Sequence, residues 1–510
     1  MKAQIVVRLK QVEAALIAYA VANGCAGQPH TVRELSSQEK VVVQQCDPEK
    51  SLFGVGYVTW YPDVAKLYSE IGVRWMKVPE VKWGRVEPEP PSQGVHRYQW
   101  DLLDKILKIH QEYGLQLQLV AKATSPWASK PMTITAERGT LAQGIATAPP
   151  KDEYWDDYGD FIGAMVERYD HDGIDDMPGL RFPIVYYEVE SEAEYAVHWQ
   201  GTIDEYIRLL KIAYSAAKKA YPDSKIILSG INFGDLFDDM PDAATIQKRA
   251  DSLPDAYKHA VEFVRRTLQV KEFYDAIEFH YNRDYPGIYG TVQWIRQYSD
   301  KPIWAGDASS APFLFGYFVK PYPDGQELFD RISAGKQPET DWYRAEQASL
   351  AAKKFVVAAE VGLQRVIMET TAPWDLTGKS PAAVDYMWDL FSMIDQNHSP
   401  YPAFYTLGLL VAKLDAYDAV KRLDLGKGVF AYEFVVHDKR VYVLWYDDGA
   451  AQRPDIPQGK TAVDLSAVVR SGRIKLTHIV TERGKIEPEV ETRSSENVPL
   501  TETPISVEAI

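Results

Sequence analysis

Residues 184–231 read IVYYEVESEAEYAVHWQGTIDEYIRLLKIAYSAAKKAYPDSKIILSGI. A short apolar run, IVYYEV, gives way to an acidic loop. DEYIRLLKIAYSAAKKAY follows with apolar residues at helical spacing, and KIILSGI is a second short apolar run. Short apolar runs separated by a helix imply parallel strands joined by a right-handed crossover.

The same unit repeats in both directions. Upstream come LFGVGYV, DVAKLYSEIG, VRWMKVP, WDLLDKILKIHQEYG, LQLQLVA and YGDFIGAMVERY. Downstream come AYKHAVEFVRRTL, YDAIEFHY, TVQWIRQYS, KPIWAGD, YRAEQASLAAKKFVVAAEVG, LQRVIME and FYTLGLLVAKL. Eight strand–helix units over residues 52–416 are the number at which a parallel sheet closes, so the expected fold is a (β/α)8 TIM barrel. A doubly wound open sheet is the alternative. From 417 to 510 the texture becomes β-rich: AVKRLDL, VFAYEFVV, RVYVLWY, TAVDLSAVV, IKLTHIV and ISVEAI alternate with turn residues. This stretch is expected to form a C-terminal antiparallel β-sandwich domain. The connection from Ser309 to about Thr340, which contains PFLFGYFVKPYPDG, is expected to be a long aromatic loop serving as a lid or binding wall.

The 510 residues carry 56 basic and 72 acidic side chains, a formal charge of −16 without a lysine or arginine run. That balance argues against nucleic acid or an anionic membrane surface as the main partner. Thirteen Trp, 31 Tyr and 17 Phe supply flat apolar rings with polar handles, which suit sugar faces as well as a large core. Cys25 and Cys46 are the only cysteines, too few for a disulfide framework or a cysteine metal site. Lys2, Arg8 and Lys10 precede the apolar run AALIAYAVANG, with Cys25 next. Residues 1–25 therefore read either as a secretory or lipoprotein leader, with lipid on Cys25, or as a short amphipathic helix. The first reading makes 26–51 a linker and places the protein outside the cytoplasm, either extracellular, periplasmic or anchored at the outer surface. Oligomeric state leaves no mark in the sequence.

Barrel active sites form where the strands end at their C-terminal edge. Those positions hold Lys77, Trp83 and Arg85 after the second strand, Trp127 after the third, and Glu190, Ser191 and Glu192 after the fourth. Asp235 follows the fifth, His280 and Tyr281 the sixth, Asp307 the seventh, and Glu369 and Trp374 the eighth. No HExxH, Cys/His cluster or phosphate-binding Gly loop occurs, so neither a metal nor a cofactor is expected. His280 alone is too few histidines for an amidohydrolase-type barrel. In YYEVESEAE, Glu188, Glu190, Glu192 and Glu194 occupy alternate positions, and a continuous strand would aim all four at one face. The expectation is a strand that ends inside the motif. Glu188 would then be buried against Lys77 or Arg74, Glu194 turned into the loop, and Glu192 raised in pKa by its acidic neighbours.

Several segments, taken in order, resemble glycoside hydrolase family 39 and its clan A relatives. They are VRWMKVPEVKWGRVEPE, LQLVAKATSPWAS, YYEVESEA, DAIEFHYN, KPIWAGDAS, YPAFYTLGLLVAKL and VPLTETPISVE, and they span roughly residues 52–510. The resemblance implies a retaining β-glycosidase that takes an oligosaccharide or polysaccharide. Its Trp-Asn-Glu-Pro motif puts the acid/base on Glu192, and its Thr-Glu puts the nucleophile on Asp307. Lys77, Trp83, Trp127, Ser191, His280, Tyr281 and Trp374 would hold the sugar. Four positions depart from the family pattern. Lys77 replaces Arg, Ser191 replaces Asn, Ala193 replaces Pro, and Asp307 replaces Glu. An Asp withdraws its carboxylate by one methylene, which bears on outcome, since retaining enzymes hold the pair about 5–5.5 Å apart and inverting ones about 6.5–9.5 Å. The competing expectation is a catalytically impaired carbohydrate-binding homologue.

Overall fold

The computed structural model describes residues 47–56, 61–132, 146–232, 236–237, 241–314, 317–318, 322, 324–369, 390–395, 397–450, 455–456 and 458–510. The leader, Cys25, Cys46, Asp235 and Trp374 lie outside these residues. Eight parallel strands close into a barrel: β1 (Phe53–Gly56), β2 (Trp75–Lys82), β3 (Gln116–Lys122), β4 (Tyr186–Val189), β5 (Lys225–Ile231), β6 (Ala276–Tyr281), β7 (Ile303–Ser309) and β8 (Arg365–Glu369). The ring is sealed by β8 on β1, from Phe53 opposite Val366 to Gly56 opposite Glu369. Helices follow the strands in turn: α1 (Pro62–Glu70), α2 (Asp101–Glu112), α3 (Trp155–Arg168), α4 (Ile203–Ala220), α5 (Asp255–Leu268), α6 (Gly287–Ile295), α7 (Glu339–Glu360) and α8 (Pro402–Leu414), with an additional helix, Ala243–Ser252, ahead of α5.

Local chemistry explains where these elements start and stop. The sequence TIDE opens α4 because the Thr202 hydroxyl accepts from Glu205 N while the Glu205 carboxylate accepts from Thr202 N, satisfying two otherwise orphaned donors. Lys218 and Lys219 occupy its last turn, where the helix dipole favours cations. Its apolar stripe, Tyr206, Leu209, Leu210, Ala213 and Ala217, is buried.

Inside the barrel, every second strand residue points inward, and the inward residues form storeys. The floor is apolar: Trp75, Tyr186, Ile227, Ala276, Trp304 and Ile367 pack together. Arg365 closes it from below, its guanidinium 3.6 Å from the Trp75 ring centre and donating to the carbonyls of Pro48 (3.0 Å) and Ser51 (2.8 Å). Above the floor the inward residues turn polar, and that change of storey positions the site.

The C-terminal strands β9 (Ala419–Leu423), β10 (Val429–Val436), β11 (Lys439–Tyr446), β12 (Arg473–His478), β13 (Val490–Ser494) and β14 (Ile505–Ala509) form an antiparallel sheet in the order β9-β10-β11-β14-β12-β13. A two-stranded ladder, Thr461–Val463 with Val498–Leu500, makes the second layer of the sandwich. Strand alternation divides the large sheet between two cores. Tyr432, Phe434, Val441, Val443 and Trp445 pack with the barrel's helical layer, and Ala431, Tyr442, Leu444 and Val507 pack inside the sandwich. Polar contacts cross the first of these interfaces: Trp445 donates to the Tyr285 hydroxyl (3.1 Å), and Lys353 on α7 meets Glu502 at 3.3 Å with both side chains 3% exposed.

Two local expectations change. TAVDLSAVV is not one strand, because Ser466–Val469 forms a helical turn, and β13 has no counterpart among the β-rich runs expected from the sequence. The connection after β7 carries a helix, Gly325–Ser333, whose Leu328 and Ile332 pack with Ala311, Phe313, Tyr343 and Phe391 in a core of their own. Phe313 of that aromatic stretch is thus used in packing.

Removing one partner of the buried Lys353–Glu502 pair strands the other charge. Lys353→Met is expected to cost about 3–5 kcal/mol in denaturant unfolding, and adding Glu502→Leu is expected to recover most of that loss.

Candidate active site

Above the apolar floor, Lys77 points inward from β2 with no solvent exposure. Its ammonium lies 2.9 Å from Glu188 of β4 and 3.1 Å from Asp307 of β7, and it also bonds Glu278 of β6. Gln118 from β3 donates to both glutamates, at 3.2 Å and 2.5 Å. Burial and repulsion from Glu278 push the Glu188 acid up. Burial would raise Glu278 as well, but Lys77 and His280 outweigh it and hold Glu278 low. Glu188, Glu278 and His280 lie close enough together to ring a metal ion, but the Lys77 ammonium already bonds both carboxylates. The group Glu167, Asp170 and Asp172 joins the last turn of α3 to the loop after it, in which Asp170 and Asp176 cap neighbouring backbone amides.

Glycines create the space for this network. A Cβ on Gly306 would sit 1.9 Å from Glu278 Oε1, and one on Gly230 would sit 2.0 Å from His280 Nε2. An isolated glycine inside a strand pattern is the sequence sign of such a close approach.

Asp307 reaches the interior through a bulge. Trp304 and Gly306 face inward, so plain alternation would send Asp307 to the helices. The pairing instead runs from His280–Gly306 to Tyr281–Ala308 on one side and from Val366–Ala305 to Met368–Ala308 on the other. Both ladders pass over Asp307, the second over Gly306 as well, and Asp307 has φ of +41°, a left-handed conformation that non-glycine residues rarely adopt. Glu190 (+64°) and Glu192 (+47°) share that conformation. Strained backbone of this kind concentrates at functional sites.

The four-carboxylate motif resolves residue by residue. Glu188 is the buried partner of Lys77. Glu190, 1% exposed, accepts from Ala123 N (2.7 Å) and the Thr147 hydroxyl (2.8 Å) beside Lys122. Glu194 accepts from Asn232 N at 2.6 Å, and burial plus repulsion from Glu192 push its acid up to about 8. Glu192 stands at the mouth. Its Oε1 receives His280 Nδ1 (2.7 Å) and Asn232 Nδ2 (3.0 Å), and its Oε2 meets His198 Nε2 at 3.1 Å. Burial alone would raise Glu192, but the two histidines, His198 first, hold it well below the usual carboxylate range. The expected rise from acidic neighbours is therefore reversed, because both oxygens face imidazoles. His280 then turns its Nε2 toward Asp307 Oδ2 at 3.4 Å, so one ring spans both carboxyls.

The expected sugar contacts divide into two groups. Ser191 and His280 lie beside Glu192, and Trp127 stands half-buried at the rim, donating to Glu87 O (2.8 Å). Three others are corrected. Lys77 is sealed beneath Asp307 and supports it. Trp83 is fully buried between Trp127 and Phe161. Tyr281 faces the helical layer, where its hydroxyl donates to Asp284 O (2.6 Å) and Lys354 lies 5.1 Å from its ring centre. A fully buried ring offers no face to a ligand. His198, Asn232, Gly230 and Gly306 join the site without being among the expected contacts; of these, the two glycines alone leave a sign of their role in the sequence.

Neither a family model nor a curated protein sequence matches the chain. Solved structures do share its architecture. A family 39 glycoside hydrolase from Bacteroides cellulosilyticus WH2 superposes with a TM-score of 0.56 at 14% identity, covering 91% of this chain and 82% of that one. A glucosidase from Croceicoccus marinus gives 0.53 at 10% identity, covering 91% and 96%. The family 39 enzyme of Xanthomonas axonopodis pv. citri gives 0.53 at 11% identity, covering 91% and 95%. The chain thus has the barrel-plus-sandwich fold seen in clan A glycoside hydrolases.

Glu369 ends β8 on the same rim, and burial followed by repulsion from Asp307 pushes its acid up to about 8. A raised folded-state pKa contributes stability below the unfolded value and loses it as pH climbs through the folded one. Glu369→Gln should match the wild type near pH 4. Its relative stability should then grow by up to about 1.4 kcal/mol per unit until pH 8, as read by urea midpoints across pH.

Proposed function

We propose that the protein is a glycosidase that hydrolyses O-glycosidic bonds of a β-linked glycoside or polysaccharide, with retention, using Glu192 as acid/base and Asp307 as nucleophile. The observation that carries this reading is exposure. Glu188 and Glu278 are sealed at 0% and Glu190 at 1%, whereas the side chains of Glu192 and Asp307 reach solvent at 12% and 13%. Glu192 follows β4 and Asp307 lies in β7, and the two contact opposite nitrogens of one imidazole.

In the first step an Asp307 oxygen attacks the anomeric carbon as the leaving oxygen takes a proton from Glu192. In the second, Glu192 draws a proton from water, which displaces Asp307. Lys77 holds Asp307 from below, as a point charge in place of a two-pronged guanidinium. The bulge at Asp307 moves the shorter carboxylate toward the axis and so opposes the retreat of one methylene. Trp127 offers an apolar face to a sugar ring.

Binding without turnover is the second reading, and the ionised state of Glu192 favours it, since a general acid works best with its pKa near the working pH. A panel of aryl β-glycosides and polysaccharides separates the two. Glu192→Gln and Asp307→Asn should each lower turnover by about 10²-fold or more. Turnover unchanged in Glu192→Gln on any substrate the wild type cleaves would remove Glu192 from the assignment, and saturable oligosaccharide binding with no cleavage would establish the second reading. We further propose export with a lipid on Cys25. Mass spectrometry of the mature amino-terminal peptide should find it beginning at a diacylated Cys25, and an intact Met1–Gly24 segment would exclude this.

A further inference from the structure

Resting on the glycosidase reading, we propose that His280 is the proton reservoir of the site: it passes its Nδ1 proton through Glu192 to the leaving oxygen while Asp307 bonds the sugar, and recovers it when water releases the sugar. His280 would act through Glu192, as a positioning and proton-storing residue.

Geometry supplies the first support. A single buried ring contacts the acid/base at 2.7 Å through Nδ1 and the nucleophile at 3.4 Å through Nε2. The cradle for that ring is built into the backbone, since any side chain on Gly230 would collide with it. Glu192 also needs a source of protons, because Asn232 and His280 occupy one of its oxygens and His198 faces the other.

Charge supplies the second. Among the described residues, the ionisable groups facing His280 are Glu192, Glu188 and Glu194 from β4 and its loop, Glu278 beside it on β6, Asp307 from β7, Lys77 from β2 and Glu369 from β8. Burial would lower the imidazole, but Asp307, followed by Glu192 and Glu278, outweighs both burial and Lys77 and raises it well above its ordinary value. The proposed resting trio has an imidazolium His280 beside a Glu192 carboxylate, with Asp307 as the carboxylate its role as nucleophile requires.

Atoms and charge balance across the two steps. In the first, the bond from the anomeric carbon to the leaving oxygen breaks and a bond from Asp307 oxygen to that carbon forms. Asp307 thereby loses its negative charge as an ester. At the same time Glu192 gives a proton to the leaving oxygen and takes one from His280 Nδ1. The trio carries one net negative charge before and after, so no charge is created in a buried site, where it would be costly. The largest attraction holding the proton on His280 disappears at the moment the proton is needed. In the second step, a water oxygen bonds the anomeric carbon and its proton passes through Glu192 to His280. Asp307 departs as a carboxylate.

Nitrogen-15 NMR of labelled histidine in the full chain tests the charge state without any substrate. The wild type should show His280 as imidazolium at pH 7. Asp307→Asn, which imitates the neutral ester, should lower its titration midpoint by one pH unit or more. A neutral His280 at pH 7 in the wild type, or an unmoved midpoint in Asp307→Asn, overturns the reservoir whether or not any glycoside is cleaved. On a cleaved substrate, His280→Gln should lose about 10²-fold with alkyl or sugar leaving groups, which need a proton, and far less with dinitrophenol, which does not. Equal losses across leaving groups would overturn the reservoir and leave Glu192 as acid/base, whereas full activity in Glu192→Gln overturns both the acid/base role of Glu192 and the reservoir that acts through it, and oligosaccharide binding without cleavage by the wild type overturns the glycosidase reading.

Discussion

One ammonium group in the middle of the barrel constrains everything above it. Lys77 meets Glu188, Glu278 and Asp307 in a space nearly without solvent, so three strands are tied to one cation. Buried charges of this kind persist only when each has its partners, and taking one away leaves the others exposed to the full cost of desolvation. The network therefore fixes the relative positions of β2, β4, β6 and β7 at the level just under the mouth. Burial first, and then the uneven charge of one cation against three carboxyls, push the Glu188 acid up, and Asp307 with its neighbouring carboxyls raises the next basic group upward, His280, despite its burial.

Two backbone irregularities translate that network into a site. Strand alternation alone would hide Asp307 behind the sheet, and a continuous β4 would line up four glutamates on one face. The bulge on β7 and the left-handed residues Glu190, Glu192 and Asp307 redirect the side chains so that two carboxyls face one another across an imidazole. Conformations of this sort are unfavourable in isolation and survive because the surrounding hydrogen bonds over-determine them. Here Glu192 N bonds Gly230 O and Glu190 N bonds Ala121 O, anchoring the loop to both neighbouring strands.

Much of this architecture is legible in the order of residues alone. The eightfold alternation of short apolar runs with amphipathic helices favours the closed barrel over a doubly wound sheet, and the change of texture after Ala416 points to the sandwich. That Glu188 would be buried against a cation, Lys77 or Arg74, follows from the rule that a buried charge needs a counter-charge, and the fold selects Lys77. What stays hidden involves residues close in space and distant in the chain. His198 sits four residues beyond Glu194 in a loop, where nothing in the local pattern shows that its ring returns to Glu192. Trp83 and Tyr281 have the sequence position of mouth residues, but the turn after β2 folds Trp83 under Trp127, and alternation on β6 sends Tyr281 outward. Acidic neighbours alone would raise the Glu192 acid. The sign reverses because two imidazoles lie against its oxygens, at 2.7 Å and 3.1 Å.

The sequence by itself determined the periodicities, and with them the barrel, the sandwich, and the strand ends at which a carboxylate pair could stand. These follow from burial: a strand covered on both faces and a helix with one apolar stripe have few ways to pack. Only the tertiary structure decided which carboxyls are pushed up and which held low, which reach solvent, and that one histidine joins Glu192 to Asp307, because charge state depends on distances of a few ångströms between groups that lie far apart along the chain.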